Sequence, residues 1–291
     1  MEQRKFYILD VFTGQKYTGN QLAVFRNASG IPVGEMQQIA REINYSETTF
    51  ILSDDQNNGG YDVRIFTPRE EVPFAGHPTL GTAFLIRNEI LEGKAEKVTL
   101  NLKVSQIPVT FAGDGSGEMK QKEPIFGVQH EALALAEVLG LGVEEIDPRF
   151  PIQEVSTGLP FFIVPLGSLK ALKNAKVDLE KYYHLIGHTQ AKGILVFTRE
   201  PRETGEDLAV RVFVDYFGVP EDPATGSANG CLSGYLAEHR VLGSGEVDTT
   251  VGQGHEIGRP SRIHLRAQKH AGGIDVFVGG EAVIVARGEF S

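Results

Sequence analysis

Glu47 stands in Asn44-Tyr45-Ser46-Glu47-Thr48-Thr49-Phe50, between the end of an apolar helical stripe and an apolar strand, with hydroxyl residues on both sides. A carboxylate at such an edge is partly withdrawn from water, which raises its pKa and suits it to general acid-base work near neutral pH. The position also fits a solvated glutamate in a turn. Two other segments offer a different chemistry. Gly76-His77-Pro78-Thr79 precedes an apolar helix over residues 80–91, and Asp222-Pro223-Ala224-Thr225-Gly226-Ser227 opens a helix carrying Leu232, Tyr235 and Leu236. A helix start presents unpaired N–H groups and roughly half a positive charge, enough to hold a carboxylate or steady an enolate. One such loop reads as a simple helix cap. Two matched ones argue for a shared ligand.

The elements that must position these residues come in mixed order, an α+β pattern, and they come twice. A turn and strand over 19–25 return at 158–164, 139 positions later. The stripe Met36, Ile39, Ala40, Ile43 behind Pro32 returns as Leu179, Tyr182, Tyr183, Ile186 behind Asp178, an N-cap residue. Apolar strands follow at 49–52 and 193–197, then Val63-Arg64-Ile65-Phe66 matches Val210-Arg211-Val212-Phe213, and finally the two helix-start loops match at a displacement of 150. The spacing predicts two similar halves, 1–118 and 119–291, with the seam near the polar, glycine-rich stretch 113–123, which reads as a loop or linker. Strands are expected at 263–267 and 274–285, the latter turned back at Gly279-Gly280 as a hairpin, and the last strands could cross back to the first half. Ligand sites favour such interfaces, so a site is expected in the cleft between halves. Ala191-Lys192-Gly193 stands where the second half would repeat Glu47, so any chemistry is asymmetric.

Composition narrows the classes of function. Of 291 residues, 41% are hydrophobic and 23% charged, enough to build a sizeable core, and the formal net charge of -10 disfavours nucleic acid or an anionic membrane as partner. The amino-terminal residues lack a signal-peptide core, and no apolar run approaches membrane-span length. A single cysteine, Cys231, forms no internal disulfide and reads as a small core residue, so a reducing, cytoplasmic setting is expected. Gly140-Leu141-Gly142 and Gly113-Asp114-Gly115 lack the strand-helix context of a dinucleotide loop. Gly252-Gln253-Gly254-His255 reads as a polar turn rather than a second anion loop. His184 and His188 have i, i+4 spacing but no acidic partner beside them, so no metal is expected.

Five segments together carry a family resemblance. Gly19-Asn20-Gln21-Leu22-Ala23-Val24-Phe25, the Asn44 to Phe50 segment, Arg64-Ile65-Phe66-Thr67-Pro68, Ala75-Gly76-His77-Pro78-Thr79-Leu80-Gly81 and Asp222-Pro223-Ala224-Thr225-Gly226-Ser227-Ala228 resemble the signature segments of the PhzF-like phenazine-biosynthesis family, in the family's order and across nearly the whole chain. The resemblance implies the diaminopimelate epimerase-like fold: two pseudo-symmetric halves, each a sheet wrapped round a central helix. It also implies a homodimer. The activity it implies is isomerisation of trans-2,3-dihydro-3-hydroxyanthranilate to a ketone without cofactor, by moving a proton between ring carbons. The substrate would be a small carboxylate.

Carried over residue by residue, the family's proton-shuttling glutamate falls on Glu47, its histidine on His77 and its aspartate on Asp222. Ser46, Gly76, Gly226 and Ser227 fall on substrate-contacting positions. Glu47 would move the proton while His77 and Asp222 orient the substrate or steady its developing charge. Epimerases and racemases of this fold, as the resemblance implies, use two cysteines on opposite faces of the substrate. With only Cys231 present, two-thiol racemisation is excluded. The rival expectation is a protein of the same fold that binds a small carboxylate without turning it over.

Overall fold

The structure, a computed structural model, describes residues 4–290. It divides into two compact units, one formed by the chain up to Met119 together with the segment from Gly279 onward, the other by Lys120–Val278.

In the first unit the strand Arg4–Val11 pairs antiparallel on one side with Ala282–Phe290 and on the other with Asn20–Phe25. Asn20–Phe25 runs parallel to Thr48–Ile51, which is antiparallel to Tyr61–Phe66, itself antiparallel to the short strand Glu71–Val72. Tyr61–Phe66 continues parallel to Lys97–Asn101, whose antiparallel neighbour is Gln106–Phe111. These strands wrap the helix Gly76–Glu89, which is buried from Gly76 through Ala83 and again at Leu85 and Ile86. A helix apolar all round has no solvent face to give, so it belongs inside a sheet rather than on one. The fit is close: a Cβ on Gly81 would stand 2.7 Å from both Leu22 and Val11 side chains. A second core on the outer face stacks Phe25 on Phe50 at 5.1 Å, with Phe66 edge-on at 5.5 Å, beneath the helix Val33–Ile43.

The second unit repeats that plan. Ile152–Ser156 is antiparallel to Ile125–His130 and to Pro160–Pro165, which runs parallel to Gly193–Thr198. Then come Leu208–Val214, the short strand Val219–Glu221, and a parallel partner Glu246–Gln253 leading to antiparallel Ser261–His270. The central helix is Gly226–Glu238, again buried almost throughout. Pairing by pairing, the order of parallel and antiparallel neighbours matches the first unit. The match extends to side chains. Arg64 makes a two-pronged pair with Glu71 at 2.9 and 2.8 Å and lies over the Phe66 ring, and Arg211 does the same with Glu221 at 2.9 and 2.8 Å and over Phe213. Planar guanidinium-carboxylate pairs fix orientation as well as distance. Each one pins the short strand that leads into a central-helix loop.

Several sequence expectations need correction. The stretch over 113–123, expected as a loop or linker at the seam, is a hairpin turn followed by a strand: Ala112 and Ser116 are bonded across Gly115, and the boundary between the units falls at Met119 and Lys120 in the strand Gly117–Lys120. Gly279-Gly280 is not a hairpin turn. The strand Gly273–Gly280 runs through both glycines, and a Cβ on Gly279 would lie 2.7 Å from the Gly117 carbonyl, so glycine serves close backbone approach there. Of the second stripe, only Tyr182 and Ile186 are buried in the helix Leu179–Ile186. Leu179 and Tyr183 are about half exposed, and the Tyr183 hydroxyl instead donates to Asp215 at 2.6 Å. Asp178 does cap that helix, accepting from the Lys181 N–H. Among the described residues, no helix is long and apolar enough to cross a membrane.

Candidate active site

Glu47 occupies the last loop position before the strand Thr48–Ile51, and His77 the first turn of the central helix Gly76–Glu89. The two side chains come together, Glu47 Oε2 lying 3.5 Å from His77 Nε2, with about 18% and 6% of their side chains exposed. The strand-to-helix contact that holds them is polar: the buried Thr49 and Thr82 hydroxyls share a hydrogen bond at 2.8 Å. Burial pushes the His77 imidazole down to about 3, against the opposing pull of a hydrogen bond to the Gln21 backbone, so the ring is neutral at physiological pH. Nε2 has no hydrogen-bond partner among the described residues, so the nitrogen bonded to Gln21 is Nδ1. A neutral ring that gives its one N–H to a carbonyl turns a lone pair outward at the other nitrogen. That lone pair faces Glu47. A proton on the Glu47 carboxyl would find an acceptor there after a movement of roughly half an ångström to ordinary hydrogen-bond distance.

In the second unit, Asp222 follows the strand Val219–Glu221 and is buried. Its Oδ2 accepts a 2.5 Å hydrogen bond from the Thr225 hydroxyl. Thr225 is the N-cap residue of the helix Gly226–Glu238, yet its side chain makes no cap bond; its hydroxyl donates to Asp222 and accepts from Gln253. Ala75, at the matching place before Gly76, has no side-chain group to cap with. Both central helices therefore begin without a side-chain cap, leaving first-turn N–H groups for an anion. Gly76 and Gly226 are the first residues of these helices and are buried, while Ser46, beside Glu47, and Ser227, in the first helical turn, are half-buried.

The structure thus gathers Ser46, Glu47, Gly76 and His77 in the first unit, and Asp222, Gly226 and Ser227 in the second. Sequence reasoning missed Thr225 and Gln253, which bind to the Asp222 loop, and the Gln21 backbone, which sets the state of His77. Thr225 lay inside the quoted motif and Gln253 inside a turn set aside as polar. A backbone contact carries no residue-type signal at all. Cys231 is buried beside Thr157 and the Leu159 carbonyl, and burial pushes its thiol up to about 11. Such a thiol is inert near neutral pH.

A sheet wrapped round a buried helix, made twice in one chain, is the diaminopimelate epimerase-like fold, and here a carboxylate stands against a neutral imidazole at one of the two helix starts. The chain belongs to the PhzC-PhzF family of phenazine biosynthesis-like proteins, whose sequence pattern it matches over residues 9–288. It is 34% identical to the trans-2,3-dihydro-3-hydroxyanthranilate isomerase of Pseudomonas fluorescens, over 97% of this chain and 98% of that one. The crystal structure of a PhzF-family phenazine biosynthesis protein from Bacillus anthracis superposes with a TM-score of 0.91 at 27% identity, covering all of both chains. A probable proline racemase from Agrobacterium radiobacter shares the fold alone, with a TM-score of 0.61 at 11% identity over 99% of this chain and 93% of that one. The fold and family implied by the sequence resemblance are borne out.

Proposed function

We propose that the protein is a cofactor-independent isomerase that moves a proton between carbons of a small carboxylate, with trans-2,3-dihydro-3-hydroxyanthranilate or a close analogue as substrate. Turning a C–OH group into a ketone without an oxidant takes two proton shifts: the carbinol carbon loses its hydrogen as a proton while another ring carbon takes one up, which leaves an enol, and the enol then gives up its hydroxyl proton as a further ring carbon is protonated. One group able to accept and return the carbinol proton suffices for the first shift. Glu47 is that group, and the observation that carries the reading is its placement 3.5 Å from the Nε2 lone pair of a neutral, buried His77. The imidazole gives the captured proton a resting contact, so the carboxyl can hold it between the two carbon positions rather than lose it to water. Asp222, whose Oδ2 accepts a hydrogen bond from Thr225, offers acceptor oxygens that suit the amino group of such a substrate better than its carboxylate. The uncapped helix starts suit that carboxylate.

The test is incubation of the protein with trans-2,3-dihydro-3-hydroxyanthranilate in heavy water, followed by proton NMR. The expected result is loss of substrate, appearance of a ketone and deuterium at the carbon that receives the proton. Unchanged substrate with no exchange, across that acid and its ring-saturated or deaminated analogues, sinks the reading. Tight binding without exchange would instead support the catalytically inactive binding protein.

A further inference from the structure

The turn Gly252-Gln253-Gly254 has a task that its sequence does not announce. Gln253 ends the strand Glu246–Gln253 and is completely buried. Its Nε2 donates to the Asp222 carbonyl at 2.8 Å and to the Thr225 hydroxyl at 3.1 Å. Its Oε1 accepts from Asn229 Nδ2 at 2.7 Å and from the Thr225 backbone N–H at 3.4 Å. Both donors and both lone pairs of the amide are engaged, so nothing in the group is idle. The direction of these bonds is also forced. A backbone carbonyl can only accept, so the amide nitrogen must face Asp222 and Thr225. The Thr225 oxygen, receiving one hydrogen from Gln253, gives its own to Asp222 Oδ2 at 2.5 Å. A chain of donors therefore runs from Gln253 through Thr225 to Asp222, each bond polarising the next. The backbone is drawn equally close: at Gly254, with φ +79°, a Cβ would fall 2.6 Å from the Pro223 carbonyl.

We propose that Gln253 is the positioning residue of the Asp222 loop: by donating to Thr225 it obliges Thr225 to donate to Asp222, which holds the Asp222 carboxyl as a hydrogen-bond acceptor in a fixed orientation toward the substrate. The role toward substrate rests on the proposed function of Asp222, whereas the direction of the hydrogen-bond chain does not. Gln253 touches the loop and not the reacting atoms.

Gln253→Glu tests the donor direction, because the two side chains share one shape while the ionised carboxylate offers only acceptors. At pH 8 it confronts the Asp222 carbonyl and the Thr225 oxygen with a lone pair, and as the new carboxyl takes up a proton at lower pH a donor returns. The first arm compares urea unfolding midpoints of wild type and Gln253→Glu between pH 8 and pH 5. The expected result is a clear deficit at pH 8 that closes toward pH 5, and a deficit constant with pH overturns the proposal. The second arm measures kcat/KM over the same range on the isomerase substrate, with an expected fall of at least about tenfold at pH 8 and recovery relative to wild type at pH 5. Unchanged kcat/KM at every pH overturns the link to Asp222. Should Gln253→Glu fail to fold at pH 8, Thr225→Val and Thr225→Ser decide the matter. Loss of at least about tenfold in Thr225→Val with retention in Thr225→Ser supports the chain, and full activity in Thr225→Val overturns it. If wild type turns over no acid, the functional reading fails and the unfolding arm still decides the hydrogen-bond chain.

Discussion

The Thr49 hydroxyl meets the Thr82 hydroxyl at 2.8 Å inside the first unit, and both residues are fully buried. Thr49 lies two residues beyond Glu47, and Thr82 lies a little over one helical turn beyond His77. The one hydrogen bond between them therefore sets how the strand that carries the carboxylate lies against the helix that carries the imidazole.

Thr82→Val removes one partner and leaves the other hydroxyl buried and unsatisfied, a change that costs about 1–3 kcal/mol. Thr49→Val should cost a similar amount. Replacing both together should cost less than the sum of the two, since two apolar groups of the same shape leave no orphaned polar atom. A double-mutant cycle by urea unfolding checks this, and strict additivity would show that the two hydroxyls do not depend on each other. Turnover in Thr82→Val should fall as well, because the spacing of Glu47 and His77 loses its brace.

The state of His77 predicts a pH dependence of stability. The unfolded chain protonates its histidine near 6.5, while in the folded protein burial holds that group down to about 3. Between those values the unfolded state binds the extra proton, so stability present above pH 6.5 is lost as the pH falls, by up to about 1.4 kcal/mol per pH unit. By pH 5 this one group should have removed about 2 kcal/mol. His77→Gln cannot titrate, so its stability deficit against wild type should be largest near pH 7.5 and narrow toward pH 5. Urea titrations of both proteins at the two pH values measure the difference. A deficit that stays constant would mean that the buried ring does not resist protonation.

How far the sequence reveals this protein depends on the range over which each signal acts. The duplication is legible because apolar periodicity and turn residues are local, and the matched arginines Arg64 and Arg211 sit in matching strands. Each arginine's carboxylate partner, Glu71 or Glu221, follows in the next short strand. Gly279-Gly280 misleads because glycine serves a tight turn and a close backbone crossing equally well, and only the Gly117 carbonyl beside Gly279 tells which. Leu179 and Tyr183 mislead because helical spacing identifies a stripe but not the width of the surface it meets. Glu47 and His77 are nominated by motif, yet their contact joins residues far apart in the chain. Gln253 is invisible for the same reason: its partners Asp222, Thr225 and Asn229 lie 24 to 31 positions away.

Cys231 offers a direct test of whether a thiol takes part. A fully buried thiol with its pKa pushed up to about 11 carries almost no thiolate near neutral pH. An aromatic disulfide reagent at pH 7.5 should leave the native protein unmodified for hours and react with one thiol per chain once urea is added. Cys231→Ala should keep turnover within about twofold while losing roughly 1 kcal/mol of stability through the small space it leaves. Fast labelling of the native protein, or loss of exchange in Cys231→Ala, would return a cysteine to the mechanism.

Glu47→Gln isolates proton transfer from binding. The amide keeps the size of the carboxylate and can still fill the space beside His77, but it cannot accept a proton at neutral pH. If Glu47 carries the proton, kcat should fall at least about a hundredfold, the usual contribution of a general acid-base group, with KM little changed. Glu47→Asp keeps the charge but is one methylene shorter, which draws the carboxylate back from His77 Nε2, so its rate should lie between those of wild type and Glu47→Gln. His77→Asn should slow turnover by weakening the hold on the captured proton while leaving a carboxylate to abstract it. The readout is the rate of deuterium incorporation from heavy water at saturating substrate, taken beside steady-state KM. Exchange at the wild-type rate in Glu47→Gln would remove Glu47 from the chemistry. Loss of exchange in Asp222→Asn under the same conditions would then move the base to Asp222, whose loop would be the catalytic one rather than the binding one.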